Sequence, residues 1–234
     1  MGHNRDKDRW ATNSGATLTR RSLFELAGLT IATAALPRGV AMAKPSASSA
    51  NAAPSEDSVM EKLSTYMSEA NGRALPDEVV ERAKQHILDT WAAMISGSEL
   101  PPGRAALRFA RAYGGKEVST VVASNILCGP IEAALTNGVL AHADETDDSH
   151  GASHAHPGCA VVPAALAAGE QFGISGTHFL RAVTLGYDVG SRFTMTLGGE
   201  RYENESHRST HSIATIFGAA AAAGCTASEF SERS

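Results

Sequence analysis

The chain is short of paired cysteines, of surplus positive charge, of long apolar runs and of internal repeats, and each shortage excludes something. Its three cysteines, Cys128, Cys159 and Cys225, are odd in number, far apart and set among Ala, Gly, Val and Leu. There is no Cys-x-x-Cys pair, so neither a disulfide framework nor a structural zinc site is indicated, and buried free thiols are expected. Cys159 alone has a second reading, as a nucleophile, because histidines lie close to it. With 20 Lys and Arg against 25 Asp and Glu, the formal charge is -5. No stretch interleaves bases with aromatics, which argues against nucleic acid as a partner. The absence of a fixed period excludes a solenoid.

The apolar run near the N-terminus is too short to span a bilayer, so no stable membrane anchor is expected. Arg20-Arg21 is followed by Ser22-Leu23-Phe24, a moderately apolar stretch through Leu36, and the small-x-small site Ala41-Met42-Ala43. That order is the order of an export signal, and the arginine pair resembles a twin-arginine address. Residues 1–43 are therefore read as the signal, with the twin-arginine export machinery as partner and the periplasm as destination. An amphipathic surface helix is the other reading of the same residues. Residues 44–57, rich in Ala, Ser and Asn, are read as a flexible tether.

From Ser58 the spacing of apolar residues is helical, with Ser58-Val59-Met60-Glu61 as a candidate capping box. A second helix begins at Pro76, with Asp77 and Glu78 at its positive end, and closes at Gly97. Shorter helices are predicted over 104–113 and 131–143, and Val118–Val122 is the only strand-like piece. Further helices are predicted over 163–172, 179–193 and 213–224. Gly186 and Gly190 let another helix approach the second of these closely. The last is Ala, Gly, Ile and Phe almost throughout, so other elements must bury it. The fold class is mainly α, over residues 58–226, with 227–234 as an atypical tail.

The chemistry concentrates between Asn137 and Pro163. That stretch holds His142, His150, His154 and His156, four of the nine histidines, beside Asp144, Glu145, Asp147 and Asp148. A short connection carrying acids and imidazoles between rigid helices is a natural place for proton transfer. A free imidazole titrates near pH 6.5, so it exchanges protons at working pH.

Three blocks stand out: Leu75-Pro76-Asp77-Glu78-Val79-Val80 through Leu88-Asp89-Thr90, Asn137-Gly138 through His156-Pro157, and His211 through Phe217-Gly218-Ala219-Ala220-Ala221-Ala222. Together they resemble the MmgE/PrpD family, which includes 2-methylcitrate dehydratase and cis-aconitate decarboxylase. The resemblance implies part of a large all-helical domain, normally joined to a smaller α+β lid in a homodimer. The chain is expected to stop short of the lid, as a truncated product whose activity by itself is weakened or absent. The family's Asp-aromatic-Asp-Asp-Thr run falls on Glu145-Thr146-Asp147-Asp148-Ser149, with a longer first acid, no aromatic, and Ser for Thr. His156 matches the histidine before Pro, with one extra residue between it and the acids. His211 or His207 matches a second histidine.

The function implied is lyase chemistry, dehydration, decarboxylation or isomerisation, on a small di- or tricarboxylate. His156, His211, Glu145, Asp147 and Asp148 are the catalytic candidates. Asn137, His142, Ser149, Arg192 and Arg208 are the substrate-binding candidates, with Arg201 as a further cation for substrate carboxylates. No cofactor is expected, since the family has members that need no metal. Two rivals stand beside this reading. One is a metal-dependent enzyme using His142, Asp144, Asp148, His150, His154 and His156. The other is a non-catalytic exported paralogue.

Overall fold

A computed structural model describes residues 56–233. The segment read as an export signal, and most of that read as a tether, lie outside the described residues. The elements run α1 (Glu56–Glu69), α2 (Asp77–Ser98), α3 (Pro101–Tyr113), β1 (Ser119–Thr120), β2 (Leu127–Cys128), α4 (Pro130–His142), α5 (Gly158–Phe172), α6 (Gly176–Leu197), α7 (Glu200–Ser206) and α8 (Thr210–Arg233). The mainly α architecture is thus as the sequence indicated. No helix among the described residues is long and apolar enough to cross a membrane.

Several starts follow from local chemistry. Proline is tolerated where the backbone N–H has no helical partner, so Pro101 and Pro102 open α3 and Pro130 opens α4. The Ser175 hydroxyl accepts from the His178 N–H and caps α6. Gly173, at φ +65°, closes α5 in the left-handed conformation. Four boundaries differ from the sequence reading. α1 begins at Glu56, so Ser58 lies inside its first turn and is no cap. Gly97 does not end α2 but is buried within it. α5 starts at Gly158 and carries Pro163 inside the helix. α8 continues to Arg233, so residues 227–233 are helical rather than a separate tail.

The core gathers where α8 lies along α6 and α5, and α5 in turn lies on α4. A Cβ at Gly186 would meet the Gly218 carbonyl oxygen at 2.8 Å, and one at Gly190 would meet the Ala214 oxygen at 2.5 Å. Two helices can therefore approach almost backbone to backbone, as the small residues predicted. Burial of α8 is one-sided: Ala214, Ala221 and Ala222 are buried while Ile216 stays exposed, as do Ile131 and Leu135 on α4.

The strand expected over Val118–Val122 shrinks to a two-residue ladder, Ser119 opposite Cys128 and Thr120 opposite Leu127. Asn137 explains how it is held. Its side chain accepts from the Val122 N–H at 2.9 Å and donates to the Thr120 carbonyl at 2.9 Å. Being wholly buried there, Asn137 anchors the hairpin and offers nothing to a substrate, which corrects its assignment as a substrate-binding residue.

Candidate active site

Three histidines converge from separate elements: His142 ends α4, His156 precedes α5, and His211 sits in the first turn of α8. With Glu145, Cys159, Ser209, Ser212 and Thr215 they line an open cleft of about 450 Å³. The His156 and His211 rings stack with centroids 4.8 Å apart. The His142 ring is 5.7 Å from that of His156.

Asp147 lies beneath them with a fully buried side chain. Both its oxygens are 3.1 Å from His142 Nδ1, and Oδ2 is 3.9 Å from His156 Nδ1. A carboxylate accepts only, so the Nδ1 of His142 carries the proton toward it. His156 Nδ1 lies 2.8 Å from the Asp148 backbone carbonyl. A carbonyl also only accepts, so the neutral ring is protonated on Nδ1 and keeps its Nε2 lone pair. His211 is pushed below the ordinary imidazole value by burial and by the neighbouring His156, with Glu203 opposing.

Asp148 faces a different way and does not line the cleft. Its Oδ2 accepts from the Tyr187 hydroxyl at 2.8 Å and pairs with His86 Nδ1 at 3.0 Å, and its Oδ1 accepts from the Gly158 N–H at 2.9 Å. Burial would raise this carboxyl, but the bonds from His86, Tyr187 and Gly158 outweigh it and hold the group below its usual range. Burial and the Asp148 charge push the Tyr187 phenol far up, so it remains a donor. The bond to Asp148 raises His86. Because the Asp148 carbonyl fixes His156, this clamp sets the position of a cleft residue without touching its contents.

The signs of these shifts define a pH window. The depressed Asp148 contributes stability above the ordinary carboxylate pKa and loses it as pH falls through its lower folded value. The raised His86 contributes below the ordinary imidazole pKa and loses it as pH rises through its higher folded value. Both contributions are complete between about pH 4 and 6.5. His86 is 44% exposed, so solvent weakens its share. Asp148→Asn should flatten the decline of Tm on both sides of that window. An unchanged pH profile of melting would contradict the clamp.

The remaining sequence candidates are dispersed. Ser149 is exposed and outside the cleft lining. Arg192 pairs with Asp188 at 2.6 Å, and Arg201 with Glu205 at 3.0 Å. Arg208 is exposed beside the cleft, its N–H bonded to Ser206 Oγ. None of the three arginines lines the cleft, and among the described residues the donors there are imidazoles and hydroxyls. Of the two competing histidines, His211 lines the cleft and His207 is an exposed residue closing α7. The six residues of the metal rival do not converge: Asp144 bonds Ser96 and Thr146, His150 bonds Ser153, and Asp148 is in the clamp. Burial pushes the Cys159 thiol far up, which removes the nucleophile reading.

Sequence reasoning missed His86, Tyr187, Ser209, Ser212, Thr215 and Glu203. His86 and Tyr187 sit on long helices with nothing nearby in sequence to mark them. Ser209 and Ser212 flank His211, and that adjacency was the available signal.

Imidazoles backed by a buried carboxylate are an arrangement that can move protons. The MmgE/PrpD N-terminal domain model matches residues 61–228, and the chain belongs to that family. It is 31% identical over 175 residues to the cis-aconitate decarboxylase-like protein oryM of Aspergillus oryzae, covering 72% of this chain and 36% of that protein. It is 31% identical over 174 residues to cis-aconitate decarboxylase of Homo sapiens, covering 71% and 35%. With cis-aconitate decarboxylase of Aspergillus terreus it shares 30% over 130 residues, covering 53% and 26%. The chain spans between about a quarter and about a third of the length of these relatives.

Proposed function

We propose that the cleft performs lyase-type acid/base chemistry on a small di- or tricarboxylate, with decarboxylation of a cis-aconitate-like acid as the first substrate to try. The carrying observation is the stacked pair His156 and His211, backed by the buried Asp147 carboxylate that His142 contacts. In a decarboxylation the C–C bond breaks, its electron pair stays on carbon, and a proton must be delivered there. In a dehydration a base takes the C–H proton while an acid protonates the departing hydroxyl. Either route needs two proton positions a few ångströms apart. His156 Nε2 supplies one. His211, whose pKa is lowered by burial and by His156, supplies the other: after taking a proton from solvent, it gives that proton up readily to carbon or to the departing hydroxyl. The hydroxyls of Ser209, Ser212 and Thr215 are the uncharged donors for substrate carboxylates. The relatives' names motivate the substrate, and the family resemblance a homodimer. The Arg20-Arg21 segment motivates export by the twin-arginine route.

The test is to titrate cis-aconitate into the protein while following the histidine ring signals by NMR, and to measure CO2 release. Shifts confined to His142, His156 and His211 are expected. Absence of any shift at these three up to millimolar ligand would end the reading.

A further inference from the structure

Beside the cleft, the loop before α5, the helix α7 and the first turn of α8 bring together His154, Glu203 and His211. We propose that these three side chains form a binding site for a divalent transition-metal cation of the zinc type. The inference goes beyond the lyase reading and stands without it.

The geometry is nearly that of a ligand set. One donor atom from each residue lies within 4.8 Å of the others. His154 Nδ1 is 2.9 Å from Glu203 Oε2, and His211 Nδ1 is 3.9 Å from the same oxygen. Zinc bonds of about 2.0–2.1 Å in a tetrahedral arrangement require donor separations of roughly 3.4 Å. Small side-chain rotations reach that value, and the cation replaces the proton now shared by His154 and Glu203.

The ligands also have supporting contacts of the kind that orient a metal site. The fully buried Thr210 donates its hydroxyl to Glu203 and lies 2.6 Å from the His154 carbonyl. The Thr210 hydroxyl and the His154 ring both address Glu203 Oε2, which fixes the carboxylate between them. All three ligands are partly exposed, leaving room for water in the fourth position.

A second possible set, His142, Asp147 and Cys159, also has donor atoms within 4.8 Å. It is disfavoured because a thiol must lose its proton to bind metal, and burial opposes that at Cys159. The two sets are disjoint, so variants tell them apart. A cation on His154, Glu203 and His211 would occupy His211 and take it from the cleft, making the site a brake on whatever chemistry occurs there.

The test is calorimetric titration of chelator-stripped protein with Zn2+, repeated by Co2+ absorption spectroscopy. Wild-type protein should bind one cation per chain. Glu203→Gln and His154→Gln should each weaken binding at least tenfold, as loss of a ligand does, while His142→Gln stays within twofold. Zn2+ should shift the ring NMR signals of His154 and His211. Retained melting transitions show that the variants fold, and His154→Gln leaves the Glu203–Thr210 bond intact if Glu203→Gln does not. No binding by wild type, wild-type affinity in either ligand variant, or loss of binding on His142→Gln would each overturn the proposal.

Discussion

Asp147→Asn is expected to lower the proposed lyase turnover about 100-fold or more, the usual worth of a positioned proton-transfer group, with the fold retained. Both Asp147 oxygens face His142 Nδ1, and one approaches His156 Nδ1. An amide of the same shape replaces one acceptor with an N–H donor. In either amide orientation one oxygen and the NH2 group both lie near His142 Nδ1, so the ring keeps one acceptor and meets an opposing N–H donor. With the NH2 group at the Oδ2 position the donor also points toward His156, whose Nδ1 proton already goes to the Asp148 carbonyl. Either choice disturbs a ring lining the cleft. The negative charge that steadies a protonated imidazole is lost as well. The ring nitrogen shifts of His142 report the tautomer directly, and kcat reports the consequence. A kcat within threefold of wild type would remove Asp147 from the mechanism. His142→Gln serves as a companion, because it deletes the ring and keeps the acid.

How much of this was legible beforehand depends on the range of the contacts. Helices with strong periodicity and proline or glycine punctuation, such as α2 and α6, follow from local rules. The close approach of α6 and α8 was readable from Gly186 and Gly190, because missing side chains are visible in a sequence. The start of α5 was not. Gly158 lies there because Asp148, Thr90 and Tyr187 fill the space a Cβ would take, at 2.6–2.7 Å, and Thr90 and Tyr187 are remote in sequence. The separation of Asp147 from Asp148 was illegible for a related reason. Adjacent acids in a loop look equivalent, yet one turns under the histidines and the other toward His86 and Tyr187. Asn137 misled because a buried amide serving a hairpin and an amide serving a substrate have the same sequence signature.

Gly97→Ala is expected to cost about 3 kcal/mol or more, at or above the upper end of the usual overpacking range. A Cβ at Gly97 would lie 2.0 Å from the Leu140 carbonyl oxygen and 3.0 Å from the Ala143 Cβ. Both obstacles belong to the end of α4, and the nearer is backbone, which cannot rotate aside. A second close approach sits in the same place, since a Cβ at Gly103 would meet the Gly97 carbonyl oxygen at 2.0 Å. α2, α3 and α4 are thus locked at one crossing, and α4 can yield only by moving away as a unit. Alanine regains up to about 1 kcal/mol of helix propensity over glycine, which is too little to offset the clash. The expected fall in Tm is about 6–12 °C for a domain of this size. Gly224→Ala is the matched control: that glycine lies in α8 with nothing within 4 Å of its would-be Cβ, so the same change should be neutral or slightly stabilising. A Gly97→Ala protein melting within 2 °C of wild type would show that the crossing has slack. Since α4 delivers His142 to the cleft in its last residue, the displacement should also weaken the His142–Asp147 contact. That links a glycine on α2 to the geometry of the histidines, and the His142 ring signal is where the effect should be visible.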